Sequence, residues 1–277
     1  MLGQDGLSYA PLSHQDYLMY RRYLSGIYEL PPEDIETESV DAFLGNYHNR
    51  TAINVVYPVP HGALRISTVG FHDRPLRGQD LESARALVAE AMEQGAIGLS
   101  TGMSYFPNSW SGTEELIELC KVVARTGGVY ITHLRNVHPE RGFGGVGVIE
   151  ALEIGRRSGV KVHFSHYRTA TENAGQVERL MEEIDRAKAE GVDCTLELYP
   201  YPTGRGYPMM FLPPAVVDLG RQEHHGAVAG PGKATVHCGV HRRASHRQRA
   251  RRPRRVYARA FGEQPASGRS GLFQCHP

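Results

Sequence analysis

At 277 residues and 40% apolar composition, the chain can fill the core of one large domain or two small ones, and no apolar run reaches membrane-spanning length. The start, Met1 to Gly6, shows neither the basic nor the apolar region of a signal peptide, so a cytoplasmic location is expected. Four cysteines without paired spacing (Cys120, Cys194, Cys238, Cys275) argue against a disulfide scaffold and against a zinc ribbon. The net charge of +1 hides a division: residues 221–277 carry 12 Lys or Arg against Glu223 and Glu263, about +10, which leaves about −9 for the first 220.

Residues 1–50 are polar and Tyr-rich, with Pro31-Pro32 and a cluster of acids, and read as loop and short helices lying over the end of a barrel or sheet. Residues 51–58 form the first expected strand, stopped by Pro58. A helical apolar spacing follows over 81–94 (Leu81, Ala84, Leu87, Val88, Ala91), with Gly95 as its stop. Then come a strand at 96–100, a loop holding Tyr105 and Trp110, and a helix opened by Thr113 as N-cap and closed by Gly127-Gly128. A strand at 129–133 precedes a helix at 146–158, with Ile149, Leu152 and Ile154 inward and Gly159 as its stop. A strand at 160–166, a helix at about 174–190 ended by Gly191, and a strand at 192–199 complete the pattern.

This alternation with short connections predicts a parallel α/β architecture, either a (β/α)₈ barrel or a doubly wound sheet. A doubly wound nucleotide fold would carry a Gly-rich fingerprint in its first βα connection. Gly142-Phe143-Gly144-Gly145 follows a His-bearing strand and lacks that spacing, which favours the barrel. Beyond Gly220 the pattern dissolves into Arg-rich sequence without apolar period. The expected division is therefore a partial barrel over 1–220 and a disordered basic tail over 221–277.

Two histidines, His133 and His166, close successive predicted strands. In a parallel sheet those strand ends emerge side by side, so the two imidazoles are candidate ligands of one metal ion, although a single His is more often a core residue. His163 stands an odd step from His166 and is expected to face away. Asp5 sits in a glycine-flanked turn, where an ordinary turn carboxylate is the plain alternative to a role. Glu197 follows as a carboxylate near the next strand end. Tyr105 is expected either to line a substrate pocket or to pack over the rim. Arg135 suits a bidentate grip on a substrate carboxylate, with a surface salt bridge as the alternative.

Several separated motifs resemble the D-aminoacylase (N-acyl-D-amino-acid deacylase) family of the amidohydrolase superfamily. They are Gly95-Ala96-Ile97-Gly98-Leu99-Ser100-Thr101-Gly102, Tyr105, Thr113-Glu114-Glu115, Gly127 to Arg135, Ser165-His166 and Tyr199-Pro200-Tyr201. The resemblance covers roughly residues 1–215. It implies a TIM-type (β/α)₈ metal-dependent hydrolase barrel with a small β-domain built from both chain ends. It implies one or two zinc ions, with His133 and His166 as ligands, and puts Asp5 where many members carry a bridging cysteine. It further implies hydrolysis of linear non-peptide amides, releasing a carboxylate and a D-amino acid from a small N-acyl amino acid, with Tyr105 and Arg135 as substrate-binding candidates.

Two features of the family pattern are not found in this sequence: a His-x-His pair upstream of the Asp5 turn, and the catalytic aspartate of the last barrel strand, so no catalytic residue is assigned. An internal start and a frameshift near Val217-Asp218 would account for both, and weak catalysis is then expected of this fragment. Alternative expectations are hydrolysis of cyclic amides of the hydantoin or dihydropyrimidine type, a catalytically dead scaffold subunit, and nucleic-acid binding through the basic tail. The last is disfavoured because the tail has no helical period or interleaved aromatics.

Overall fold

The computed structural model of the protein describes residues 1–135, 146–168 and 174–198. The expectations for the basic tail, for Gly142 to Gly145 and for Tyr199 to Tyr201 lie outside the described residues.

Five parallel strands form one sheet in the order β1 (Val59–Pro60), β2 (Gly98–Gly102), β3 (Val129–His133), β4 (Lys161–Phe164) and β5 (Cys194–Leu196). Spatial order follows chain order without the reversal that defines a doubly wound sheet, so the winding is that of a barrel. The register aligns Ser100, Ile131, His163 and Thr195 on one face, and Leu99, Tyr130, Val162 and Cys194 on the other. The second face is the helix-covered one. Gly155 of α6 (Val146–Ser158) approaches so closely that a Cβ there would stand 2.7 Å from the Val162 Cγ2. Buried Val88, Leu116, Leu119, Val123 and Leu152 fill the layer between sheet and helices.

Helices α4 (Gln79–Glu93), α5 (Thr113–Arg125), α6 and α7 (Val177–Ala189) join successive strands. Residues 129–133 and 146–158 adopt the predicted elements, and the others expected from residue 81 onward shift by a few residues. The predicted 51–58 strand is not formed: Ile53 is exposed, and pairing begins where Ile97 N–H donates to Tyr57 O at 3.0 Å, ahead of β1. Pro58 is therefore no stop. Thr113 is not the N-cap of α5, since Gly112 takes that place and the Thr113 hydroxyl donates to Glu150 Oε1 at 2.8 Å. Ile149 is exposed, and Val148 and Ala151 join Leu152 and Ile154 on the buried side of α6.

The first fifty residues hold more than short helices. α1 (His14–Tyr28) runs four turns, started by Ser13, whose Oγ accepts from Asp16 N–H at 3.2 Å. Ser39 caps α2 (Val40–Gly45) in the same way. α3 (His61–Val69) follows β1 directly and was not anticipated. Among the described residues no helix is long and apolar enough to cross a membrane.

Candidate metal centre

The carboxyl ends of the strands carry the polar groups, as barrel geometry requires. His133 is the last residue of β3, pairs in register with Gly102, and shares the inner face with Ile131 and His163. β4 was predicted to reach His166, but it ends at Phe164. A regular strand continued through His166 would aim that imidazole at the helices. Instead His166 takes φ 40°, a left-handed backbone that turns its ring back over the inner face. The ladder continues around it, with Ser165 N–H donating to Thr132 O at 3.0 Å and Tyr167 N–H to Glu197 O at 2.8 Å.

The third group arrives from the chain start. Gln4–Gly6 forms a 3-10 turn in which Asp5 and Gly6 have positive φ, 59° at Asp5, as does Gly3 just before it. A left-handed backbone costs a non-glycine residue about 1–2 kcal/mol, least for Asp and Asn, and persists where surroundings over-determine it. Here they do. Ser100 Oγ donates to Gly3 O, Gln4 Nε2 donates to Ser165 Oγ at 3.3 Å and also to Glu197, and Leu2 N–H donates to Val56 O at 3.0 Å.

His133 Nδ1 lies 2.5 Å from His166 Nε2, with ring centroids 4.7 Å apart. Asp5 Oδ2 lies 3.9 Å from His166 Nε2, and the donor atoms of the three residues all fall within 4.8 Å of one another. His133 is buried, and the other two are partly so. Its second nitrogen, Nε2, lies 3.2 Å from Ser104 Oγ, whose hydroxyl donates to Leu134 O at 3.4 Å. Because that hydroxyl proton is directed at Leu134, its oxygen can accept from Nε2–H. That tautomer leaves the Nδ1 lone pair facing the shared space. Two imidazole nitrogens and a carboxylate oxygen converging on one small volume form a donor set that suits zinc.

Tyr105 is buried over this cluster, its ring centroid 5.0 Å from that of His133. Trp110 packs instead into an aromatic group with Phe71 and Phe106. Arg135 engages its guanidinium with Glu150 (Nε to Oε2 2.8 Å, Nη2 to Oε1 3.1 Å) and with the carbonyls of Ser109 and Ser111 at 3.0 and 2.9 Å. It thus clamps the loop after β2 to α6. A substrate carboxylate would have to displace Glu150 to reach it.

His163 does not face away, as its spacing from His166 suggested. It stands on the inner face below His133, with Nδ1 2.8 Å from Thr195 Oγ1 and Nε2 3.8 Å from Glu197 Oε2. Ser104, Gln4 and Asn108 escaped sequence reasoning, since short polar residues in loops carry no pattern of their own.

Part of the chain is similar to curated deacylases. Over 205 residues the chain is 35% identical to an N-acyl-D-aspartate deacylase of Alcaligenes xylosoxydans xylosoxydans, covering 72% of this chain and 39% of that one. Over 154 residues it is 34% identical to an N-acyl-D-glutamate deacylase of the same organism, covering 55% and 31%. Among solved structures, an N-acyl-D-glutamate deacylase of Bordetella bronchiseptica, complexed with zinc and a phosphonate mimic of the tetrahedral intermediate, superposes with TM-score 0.63 at 29% identity, covering 72% and 41%.

The chain is a D-aminoacylase homologue. A D-aminoacylase crystal structure, described as defining a novel subset of amidohydrolases, matches with TM-score 0.62 at 30% identity over 73% of this chain and 41% of that one. This D-aminoacylase homologue thus spans about two fifths or less of the relatives it matches, and the barrel of those relatives is the fold of its described sheet. A binuclear metal centre is described for another D-aminoacylase structure, with TM-score 0.61 at 29% identity. No family model matches the chain.

Proposed function

We propose that the chain is the metal-binding portion of a zinc-dependent hydrolase that deacylates N-acyl-D-amino acids, with Asp5, His133 and His166 as metal ligands. The convergence of those three side chains from the chain start, the end of β3 and the turn after β4 carries the reading. Zinc bound there would supply a Lewis acid for an amide carbonyl and a water of lowered pKa. The chain's own residues do the rest. Ser104 holds the His133 ring, Gln4 ties the Asp5 turn to Ser165 and Glu197, and buried Tyr105, packed on His133, shapes the pocket. A contact between Arg135 and the substrate carboxylate requires Glu150, which fills the guanidinium fork, to move aside.

The division after residue 220 belongs to the same reading and is supported by the charge contrast between the two parts. A reducing compartment, the cytoplasm, accords with the buried Cys120 and Cys194 both being thiols. The test is zinc content and zinc affinity of the purified full chain beside its His133→Ala and His166→Ala variants, with hydrolysis of N-acetyl-D-amino acids followed in parallel. Stoichiometric zinc that falls to a fraction in both variants is expected. A wild-type chain that binds no zinc overturns the proposal.

A further inference from the structure

The Asp5 turn is seated in a socket that has no room for side chains. A Cβ on Gly102, the last residue of β2, would stand 2.0 Å from Asp5 O, and one on Gly6 would stand 2.2 Å from Asn108 Oδ1. A Cβ on Gly62, in the first turn of α3, would stand 2.7 Å from Gly6 O and 3.0 Å from Asn108 Nδ2. The strand end, the helix start and the turn therefore meet at close quarters, with Tyr20 OH 2.5 Å from the Gly62 Cβ position and Tyr105 Cδ2 2.5 Å from that of Gly102, and the side chain that hydrogen-bonds both the turn and the strand end is that of Asn108. Its amide is fully buried. Its Oδ1 accepts from Gly102 N–H at 3.4 Å, and its Nδ2 donates to Gly6 O at 3.4 Å, joining the residue after Asp5 to the end of β2.

We propose that Asn108 is a positioning residue of the metal centre, fixing through Gly6 and Gly102 where the Asp5 carboxylate stands relative to His133 and His166. The proposal rests on the reading of those three residues as metal ligands. A buried amide has to be hydrogen-bonded to be tolerated, and an apolar residue of similar volume would fill the same space without that requirement. What the amide adds is direction: one planar group spans two backbone atoms that must keep their separation if a left-handed Asp5 is to face the imidazoles. Groups that orient a ligand without touching the metal typically alter its affinity by about 10–100-fold.

The experiment is a double-mutant cycle on the full chain, reading the zinc dissociation constant by competition with a chromophoric chelator and the fold by circular dichroism and urea unfolding. Asn108→Ala is expected to weaken zinc binding about tenfold or more. Asp5→Ala is expected to weaken it further, and Asn108→Ala added to Asp5→Ala is expected to change nothing more, because the route by which Asn108 acts is gone. Asn108→Leu, which refills the volume while withdrawing the hydrogen bonds to Gly102 N–H and Gly6 O, should recover part of the urea stability lost in the alanine variant without recovering affinity, and serves where that variant folds poorly. Additive effects in the cycle, or wild-type affinity in Asn108→Leu, would overturn the positioning role and leave the metal site standing. A wild-type chain that binds no zinc would overturn both.

Discussion

The cluster turns on two residues whose backbones leave the regular regions, Asp5 and His166. His133 was legible from sequence, since a strand that ends in His at its register position must present that ring at the carboxyl rim. His166 was legible as a residue and not as a geometry. Strand periodicity carried past Phe164 would have placed its ring on the helix face, and a single left-handed residue reverses that placement. Nothing in the residue type announces it, because a bulky side chain is an unusual occupant of positive φ. Ser104 makes the next test at this scale. It holds His133 Nε2 and so leaves Nδ1 to face Asp5 and His166. Ser104→Ala should weaken zinc binding about tenfold while urea stability falls by only about 1–2 kcal/mol, because two partly buried hydrogen bonds, to His133 and to Leu134 O, are lost. Chelator competition and urea titration measure the two effects separately, and unchanged zinc affinity would exclude the orienting role.

At the scale of elements, the parts read well were those whose apolar spacing is regular, α6 and β3. α3 was missed for a physical reason: its N-cap is Pro60 without a side-chain cap, and Gly62, Ser67 and Thr68 are weak helix formers. Tertiary contacts hold it instead. Arg65, fully buried, donates from Nη1 to both oxygens of Glu115 at 2.6 and 2.7 Å and from Nη2 to Arg74 O. His61 Nε2 lies 2.9 Å from the same carboxylate, and Leu76 N–H donates to it at 3.1 Å. Glu115 shares the buried stripe of α5 with Leu119 and Val122, so helical spacing did mark it as inward, whereas its partners on α3 had no such signal.

Glu115→Ala should destabilise the protein by about 3–5 kcal/mol in urea titrations, because the Arg65 charge stays buried without its partner. A loss under about 1 kcal/mol would show the pair to be dispensable. The same network sets a pH response. Burial pushes the His61 imidazole below its ordinary value against the raising pull of Glu115, and in Glu115 the His61 hydrogen bond and the Arg65 charge outweigh burial to hold the carboxyl low. In both cases the unfolded chain takes up its proton first, so stability rises with pH. The His61 contribution is fully present above about pH 6.5 and declines as pH falls from there toward its lower native value. That of Glu115 is lost only in stronger acid, below the ordinary carboxylate range. His61→Gln should therefore flatten the fall in urea midpoint between pH 7 and pH 5.5, and an identical slope in the variant would assign that fall to other groups.

For the whole molecule, the strand order explains why side chains so far apart in sequence can meet. A sheet wound in one direction brings every strand end to one rim, and the chain start folds across that rim on the inner face, held by Ser100 of β2 and by Ser165 beyond β4. An ion held by Asp5, His133 and His166 would then tie together the chain start, the end of β3 and the turn after β4. Such an ion stabilises the folded state by mass action, since the unfolded chain does not assemble the three donors. At free zinc a hundredfold above its dissociation constant, the gain is about 2.7 kcal/mol, which for a domain of this size raises Tm by roughly 5–10 °C. Thermal unfolding of the full chain with zinc, and again with excess chelator, measures it. His133→Ala should unfold at one temperature under both conditions, close to the chelated wild type apart from the lost packing of one buried ring. Wild-type protein with the same Tm in zinc and in chelator would mean that the three side chains meet without binding an ion.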